Sequence, residues 1–466
     1  VFNLRKLKNQ DLILVILVSL LSGLGLITVF TTTYYQDLTA SQDFKQQLIF
    51  FLVGILVYLL ITALDSSFLN QPKVQVVLVI LTTIMLIALL IFGERISGTK
   101  RWFTIAGISF QPSEFAKLIV ILSTAATFAS LRNIQITAPF NIYKSIKKKE
   151  WREMLSHPYL RRFAWNTLGV LILVILIWAQ PSLGNALTTL ALWLTMLITM
   201  VPNPFQLYAY TGIFLLLLNI MFNFVSLNML YTNIGFSFYL GRFDLVLIVF
   251  TIILSLILIK FLRLKLIIIG LLIITATIFS MSLDFVWNNV ISGYQQDRIV
   301  AFLNPDADPL GAQWQVTQAK IAIGSGQIFG KGFLKGTQSN LGLLPFAYTD
   351  FAYAAFTEQF GLVGSVLMLG LFYALILRIF QISANAEDNF GRLLCIGVAL
   401  MLSLNIVVNV GMNLGIMPVT GVPLPFISYG GSAVLVNFMG LGLVQMVHSE
   451  FGDKSYKAEK LLAPDN

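Results

Sequence analysis

The sequence is poor in the residue types from which metal centres and disulfide frameworks are built. Among its 466 residues there is one cysteine, Cys395, and there are two histidines, His157 and His448. A lone cysteine inside an apolar run rules out a disulfide within the chain. One thiol and two scattered imidazoles argue against the usual zinc and iron ligand sets. Charge is also scarce. Only 11% of the residues are Asp, Glu, Lys or Arg, where a soluble domain carries about 25%. What fills the space is apolar: 57% of residues are hydrophobic and the mean hydropathy is +0.83. A spanning helix takes about 20 apolar residues, so the composition is that of an all-α polytopic membrane protein. The net charge of +9 has the sign of a nucleic-acid binder. Lys and Arg kept in cytoplasmic loops give the same excess, and no nucleic-acid partner is expected.

Taken in order, the apolar runs predict twelve spans. The first three cover 12–33, 47–64 and 74–93. Arg5, Lys6 and Lys8 precede the first of them, which is long enough to span rather than to act as a cleavable signal. A fourth starts at the corner Pro112, Ser113, Glu114, a pattern suited to a helix N-terminus. The loop 132–163 holds Lys144, Lys147, Lys148, Lys149, Arg152, Arg161 and Arg162. It is the strongest orientation signal and reads as cytoplasmic; contact with anionic lipid is the lesser reading. Further spans end at Trp178, run over 183–200, and follow at 206–222, 245–259 and 266–279. The region 206–259 looks like an inserted hairpin. A large extracytoplasmic stretch, 285–361, separates these N-terminal spans (1–284) from the C-terminal ones (362–447). Within the latter, 411–433 reads as a broken, re-entrant outer segment, and 448–466 as a cytoplasmic tail. Both termini are then cytoplasmic.

Four polar clusters fall on the outer side in this topology. They are Arg101 and Trp102 with 111–117, then 180–184, then 285–361, and then 411–433. Irregular backbone at membrane depth is tolerated only where protein buries it or it lines a cavity. The clusters therefore predict one outward-facing site made from four loops. Each member has a plainer reading beside the functional one. Glu114 and Lys117 share a helix face and form either a functional pair or an ion pair that locks the helix end. Arg101 with Trp102 could hold an anionic head group or serve as an interfacial anchor. Gly324, Ser325, Gly326, Gly330, Lys331 and Gly332 could cradle an anion, with Lys331 as a point charge, or make tight turns. Ser428 and Tyr429 could bond a ligand or merely close a packed loop. Asp350, among Tyr348, Phe351 and Tyr353, suits a general base and suits a helix cap as well.

The same residues carry a resemblance. Arg101 and Trp102 are followed by Gln111, Pro112, Ser113, Glu114 and Lys117. Next come Gln180 and Pro181 with Leu183 and Gly184, then Asp308, Pro309, Leu310 and Gly311 with Gln315. Gly324 to Gly326, Leu344 with Pro345, and Thr349, Asp350, Phe351 follow, and the series ends in the long segment 409–432, which contains PVTGVPLPFISYGGS. In this colinear order the chain resembles the SEDS family, the RodA and FtsW group, with the RodA-like side favoured by 311–315. The resemblance implies a ten-span bundle, to which the surplus hairpin would be added. It implies a peptidoglycan glycosyltransferase polymerising lipid II at the outer face of the bacterial cytoplasmic membrane, in elongation or division. Asp350 would be the catalytic carboxylate, and Arg101, Trp102, Glu114, Lys117, Lys331, Ser428 and Tyr429 would meet substrate. The implied partners are lipid II, a class B penicillin-binding transpeptidase, elongation or division proteins and membrane lipids. Departures stand at Phe346, Tyr348, Gln359 and Ser182, where the family usually has Glu, His, Glu and Asp.

The chemistry needs a base for the attacking sugar hydroxyl and positive charge for the departing diphosphate. Asp350 supplies the first. Arg101, Lys117 and Lys331 supply the second, with Glu114 orienting Lys117. A divalent cation, magnesium or manganese, could assist, although the sequence offers no closed ligand set. Two other classes fit the same composition: a lipid II flippase, or a non-catalytic membrane activator of a transpeptidase.

Overall fold

In the computed structural model the described residues are 3–37, 41–96, 99–105, 108–132, 158–200 and 312–462, with a few single positions between 293 and 302. The chain divides into two compact units, Val1–Met196 with Trp314–Asn466, and Leu197–Gln313. The first contains everything below except residues 197–200 and 312–313. Among the described residues, eight helices are long and apolar enough to cross a membrane, and the shorter apolar helix Leu183–Thr199 joins them. The expected spans at 206–222, 245–259 and 266–279, and with them the hairpin, lie outside the described residues.

The helices start where local chemistry satisfies their first N–H groups. Helix α1 (Leu12–Asp37) has 26 residues, about 39 Å at 1.5 Å per residue, which is longer than a hydrocarbon core of about 30 Å. Asp11 opens it by accepting from Leu14 N at 2.8 Å. Helix α2 (Gln42–Thr62) is capped by Ser41, whose Oγ takes Phe44 N at 3.1 Å. It therefore begins ahead of the apolar run, because a good cap lets the polar residues 42–46 join the helix. Helices α3 (Pro72–Phe92) and α4 (Pro112–Arg132) each begin on a proline, whose missing N–H costs nothing there. Between them 94–110 folds into an antiparallel sheet, β1 (Glu94–Ile96), β2 (Thr99–Ile105) and β3 (Ile108–Phe110), in that order. This sheet is the departure from an all-helical reading. Helices α5 (Pro158–Ala179) and α6 (Leu183–Met200) follow.

After helix α7 (Ala312–Ser325) the chain turns through 326–351 into α8 (Ala352–Asn385). Helices α9 (Asn389–Asn413) and α10 (Gly431–Leu462) complete the unit. Helix α10 continues well into the stretch read as a polar tail. Helix α8 is broken at Gly361, with φ 68 and ψ −166. A break strands backbone groups that must find partners when buried. The segment 327–332 supplies them. Lys331 N and Gly332 N donate to Glu358 O and Gln359 O at 3.0 and 2.9 Å, and Gln327 O and Ile328 O accept from Leu362 N and Val363 N at 2.9 and 3.0 Å. Gly330 has φ 81, and a Cβ there would overlap Gln359 O. The glycine-rich pattern is thus a backbone plug for a broken helix.

The stretch that composition marked as polar also has its own core. Val316, Ala319 and Ala322 of α7 pack with Leu344, Ala347, Phe351, Ala354 and Ala355, and with Met412 and Val419. Small side chains let the backbones approach closely, as in membrane bundles. Burial of Phe351 at 0% exposure fixes the turn in front of α8.

Candidate active site at the start of helix α8

The four polar clusters meet in one layer. Arg101 on β2 donates through Nη2 to Pro181 O. Asn185 Nδ2 donates to Ser113 Oγ at 3.2 Å. Gln111 N donates to Ser432 Oγ at 2.8 Å. Gly184 lies so close to Thr420 that a Cβ would overlap Thr420 O. Tyr429 N donates to Tyr348 O at 2.8 Å. Loops that are far apart in sequence are therefore tied edge to edge.

Asp350 sits in the turn 345–351 and is half-buried. The N-cap of α8 is Phe351, not Asp350. The turn is held from behind by two amides of α9. Asn409 Nδ2 and Asn413 Nδ2 both donate to Asp350 O, at 3.0 and 3.1 Å. Asn413 Oδ1 accepts from Ala354 N at 3.1 Å, satisfying one of the first N–H groups of α8. Asn409 Nδ2 also reaches Val422 O at 2.8 Å, so the same amide binds the 414–430 segment to the turn. Phe346 holds a positive φ of 53 and Phe426 one of 63. Such non-glycine residues cost about 1–3 kcal/mol each and persist only where surrounding structure enforces them. Both lie in the two segments that face each other here.

The remaining candidates fall into three situations. Glu114 and Lys117, in the first turns of α4, are 2% and 1% exposed and pair with each other, Nζ to Oε1 at 2.9 Å and to Oε2 at 3.1 Å. They form an interior ion pair at the start of α4. Lys331 bonds Glu358 at 2.8 Å. Glu358 is fully buried and also accepts from Thr337 N, Gln338 N and Ser339 N at 2.7, 2.8 and 3.0 Å. That carboxylate organises the single helical turn Thr337–Asn340, and the charge of Lys331 faces it first. Ser428 Oγ accepts from Leu424 N at 2.9 Å within its own loop. Arg101 and Trp102 are half-buried on β2, with Trp102 opposite Glu94 in the register.

Helix α2 contributes residues that the apolar pattern concealed. Gln47, fully buried, donates to Ser428 O and accepts from Gly430 N, both at 3.3 Å. Gln46 Oε1 accepts from the Tyr429 hydroxyl at 2.7 Å. The rings of Tyr348 and Tyr429 meet edge to face with centroids 5.6 Å apart. Burial, with the nearby Asp43 carboxylate, raises Tyr348 above the ordinary phenol value and pushes Tyr429 up to about 12. Both hydroxyls therefore keep their protons and act as donors. Asn409 and Asn413, one helical turn apart in an apolar helix, form the support behind Asp350, which the sequence analysis did not single out.

The chain is similar to known proteins. A family model described as cell cycle protein, covering FtsW, RodA and SpoVE, matches residues 11–243 and 210–452. The peptidoglycan glycosyltransferase RodA of Treponema pallidum is 29% identical over 458 residues, covering 96% of this chain and 99% of the relative. The peptidoglycan glycosyltransferase MrdB of Escherichia coli K12 is 33% identical over 376 residues, 80% of this chain and 77% of the relative. Among solved structures, a chain from work on how a peptidoglycan synthase complex coordinates polymerization and crosslinking superposes with a TM-score of 0.60 at 25% identity, covering 95% and 98% of the two chains. The rod shape determining protein RodA of Thermus thermophilus shares the fold, with a TM-score of 0.54 at 21% identity and coverage of 94% and 96%. With the motif order, the matched span and the helical bundle in agreement, the chain belongs to the FtsW, RodA and SpoVE family of multi-pass membrane proteins.

Proposed function

We infer that this chain is a peptidoglycan glycosyltransferase that polymerises lipid II into glycan strands at the outer face of the bacterial cytoplasmic membrane. The observation that carries the reading is the half-buried Asp350, its backbone pinned by Asn409 and Asn413 where four polar segments join. Asp350 takes the proton of the sugar 4-hydroxyl as its oxygen attacks the anomeric carbon of the next lipid II, and the lipid diphosphate leaves. A carboxylate held in one geometry gains by orientation and by proton transfer in the transition state. Arg101, half-buried beside 180–184, stabilises the departing diphosphate. Trp102 lies beside it as an aromatic contact. Lys331 adds positive charge from its Glu358-bound position. Glu114 and Lys117 fix the start of α4, and Ser428 and Tyr429 act through the shape of 414–430.

Among the described residues no three metal-ligating side chains gather. A magnesium or manganese ion would draw most of its ligands from diphosphate and water, and the steps above use none. Lys6, Arg378 and Arg392 lie at the opposite end of the bundle from Asp350, which supports a cytoplasmic location for that end. Similarity to a chain of a peptidoglycan synthase complex supports a transpeptidase partner. The test is incubation of the purified chain with lipid II in liposomes. Glycan strands and released undecaprenyl diphosphate are expected. Lipid movement across the bilayer without either product would contradict the reading and favour a flippase.

A further inference from the structure

We propose that residues 328–333, although they belong to a stretch expected outside the membrane, enter the hydrocarbon of the leaflet on the Asp350 side and seat Ile328, Phe329 and Phe333 among phospholipid acyl chains.

These three large apolar side chains are open to their surroundings: Ile328 is 57% exposed, Phe329 80% and Phe333 50%. A cluster of that kind marks a surface that something apolar covers. The backbone says at what level it lies. Leu362 N and Val363 N donate to Gln327 O and Ile328 O at 2.9 and 3.0 Å. A Cβ on Gly361 would overlap Ile328 O and Gly330 N. The tip is therefore fixed beside the first turn of α8 after its break. From that turn α8 runs on unbroken, and Leu362, Val363, Val366 and Leu367 are all exposed on it. They form the lipid-facing stripe of a spanning helix, and the tip extends that stripe upward.

Depth follows by measuring from the other end of the bundle. Arg378 of α8 pairs with Asp11, the residue just before α1. Charge inside hydrocarbon is costly, so this pair lies at or beyond the hydrocarbon boundary. Leu362 is sixteen residues from Arg378 along α8, about 24 Å at 1.5 Å per residue. The hydrocarbon core is about 30 Å thick, and any helix tilt brings Leu362 deeper. Ile328 and Phe329 thus lie at least about 6 Å below the far boundary. Helix α1 gives an independent reading. The Phe333 ring stacks on Phe30 with centroids 6.5 Å apart. Phe30 is nineteen residues from Asp11, about 29 Å, which puts Phe333 at the boundary itself.

The segment also meets the conditions for chain at that depth. Irregular backbone there must be satisfied by protein. Gln327 O, Ile328 O, Lys331 N and Gly332 N are bonded to the broken ends of α8, and Gly330 N donates to Gly326 O at 2.7 Å. Lys331 carries the one charge between Ile328 and Phe333. Its ammonium is turned inward to the fully buried Glu358 at 2.8 Å, the paired form in which charge is tolerated. The exposed Gln327 and Lys335 bracket the tip, with stems long enough to carry their polar ends to the interface. Acyl chains that cover the stripe of α8 cover the tip as well. A transmembrane helix of a partner protein on the same face is the competing occupant.

The experiment reads immersion depth by nitroxide spin labels. Phe329→Cys, Phe333→Cys and Lys335→Cys are each made in a Cys395→Ala background, labelled, and placed as the purified chain in liposomes of phosphatidylethanolamine and phosphatidylglycerol. Molecular oxygen, which concentrates in hydrocarbon, and a water-soluble nickel chelate compete as relaxing agents. The ratio of oxygen to nickel collisions should be highest at 329, intermediate at 333 and lowest at 335. A ratio at 329 equal to that at 335 would place the tip in water and overturn the proposal. A label at 329 that meets neither agent would mean that protein covers the tip, and would overturn it too. Should Phe329→Cys not fold, Ile328→Cys reports the same level and carries the same two adverse outcomes. The measurement uses no substrate, so its failure is separate from any failure of the glycosyltransferase reading.

Discussion

At the scale of single residues, the account turns on which polar groups support Asp350. Asn413 does two jobs at once, donating to Asp350 O and accepting from Ala354 N. Asn413→Ala strands Ala354 N in a buried site, at about 1–3 kcal/mol for an unsatisfied group, and leaves Asp350 O with Asn409 alone. Lipid II turnover should fall at least tenfold, and the melting temperature should drop; unchanged values of both would remove Asn413 from the site. In the sequence, spacing left Asp350 level with a helix cap and only the motif order raised it above one; the structure makes Phe351 the cap. Asn409 and Asn413 were not legible. Their role depends on contacts that cross between helices, and an amide near an apolar run carries no mark of what it will face. Glu114 and Lys117 were legible as a pair from their spacing, and the structure keeps them together in the interior.

At the scale of elements, among the described residues hydropathy located the spans well and their ends less well. The polar residues ahead of the second apolar run enter α2 because Ser41 caps it. The end of the polar stretch was placed at Gly361, which is where α8 breaks rather than where it begins. The helix before the break is short and buried on nearly every side, so it carries no one-sided apolar periodicity to announce it. The sheet at 94–110 was missed for a related reason: its strands are short and mixed in composition. The break itself makes two predictions. Gly330→Ala forces a Cβ onto Gln359 O at a positive φ. The plug should detach, with a loss of stability of about 2 kcal/mol or more, seen as a lower melting temperature and faster proteolysis within 326–336. Glu358→Gln replaces a buried carboxylate that receives three backbone N–H groups and Lys331. It should cost about 3 kcal/mol, and a melting temperature equal to wild type would contradict the role given to Glu358.

At the scale of the whole molecule, two polar regions lie at opposite ends of an apolar bundle. The end away from Asp350 is closed by charge. Lys6 donates to Leu64 O, Asp65 and Glu450 at 2.6, 2.7 and 2.9 Å, and Arg378 pairs with Asp11 at 2.5 Å. The hydrogen bond from Lys6 holds Asp65 below its ordinary pKa, against the effect of burial. For Asp11, burial acts upward, but Arg378, the Leu14 N–H and His448 together outweigh it, and the carboxyl is also lowered. A carboxylate depressed in the folded state adds stability that is complete above its unfolded pKa of about 3.9. That stability is lost as pH falls through the lower folded value. Thermal stability should therefore be insensitive to these groups between about pH 5 and 8 and should fall below about pH 4. Asp65→Asn should flatten the acid side of that curve, and an unchanged slope would contradict the assignment. The clustering of polar segments at one end was legible in the sequence from positive-inside counting, and the hydrogen bonds joining them show why they occur together. The central claim is that one carboxylate in that layer performs the proton transfer. Its most direct measurement is the rate of lipid II polymerisation by purified wild type and by folded Asp350→Asn. The account predicts product from the first and a loss of at least about a hundredfold in the second. Retained turnover in a folded Asp350→Asn would contradict it.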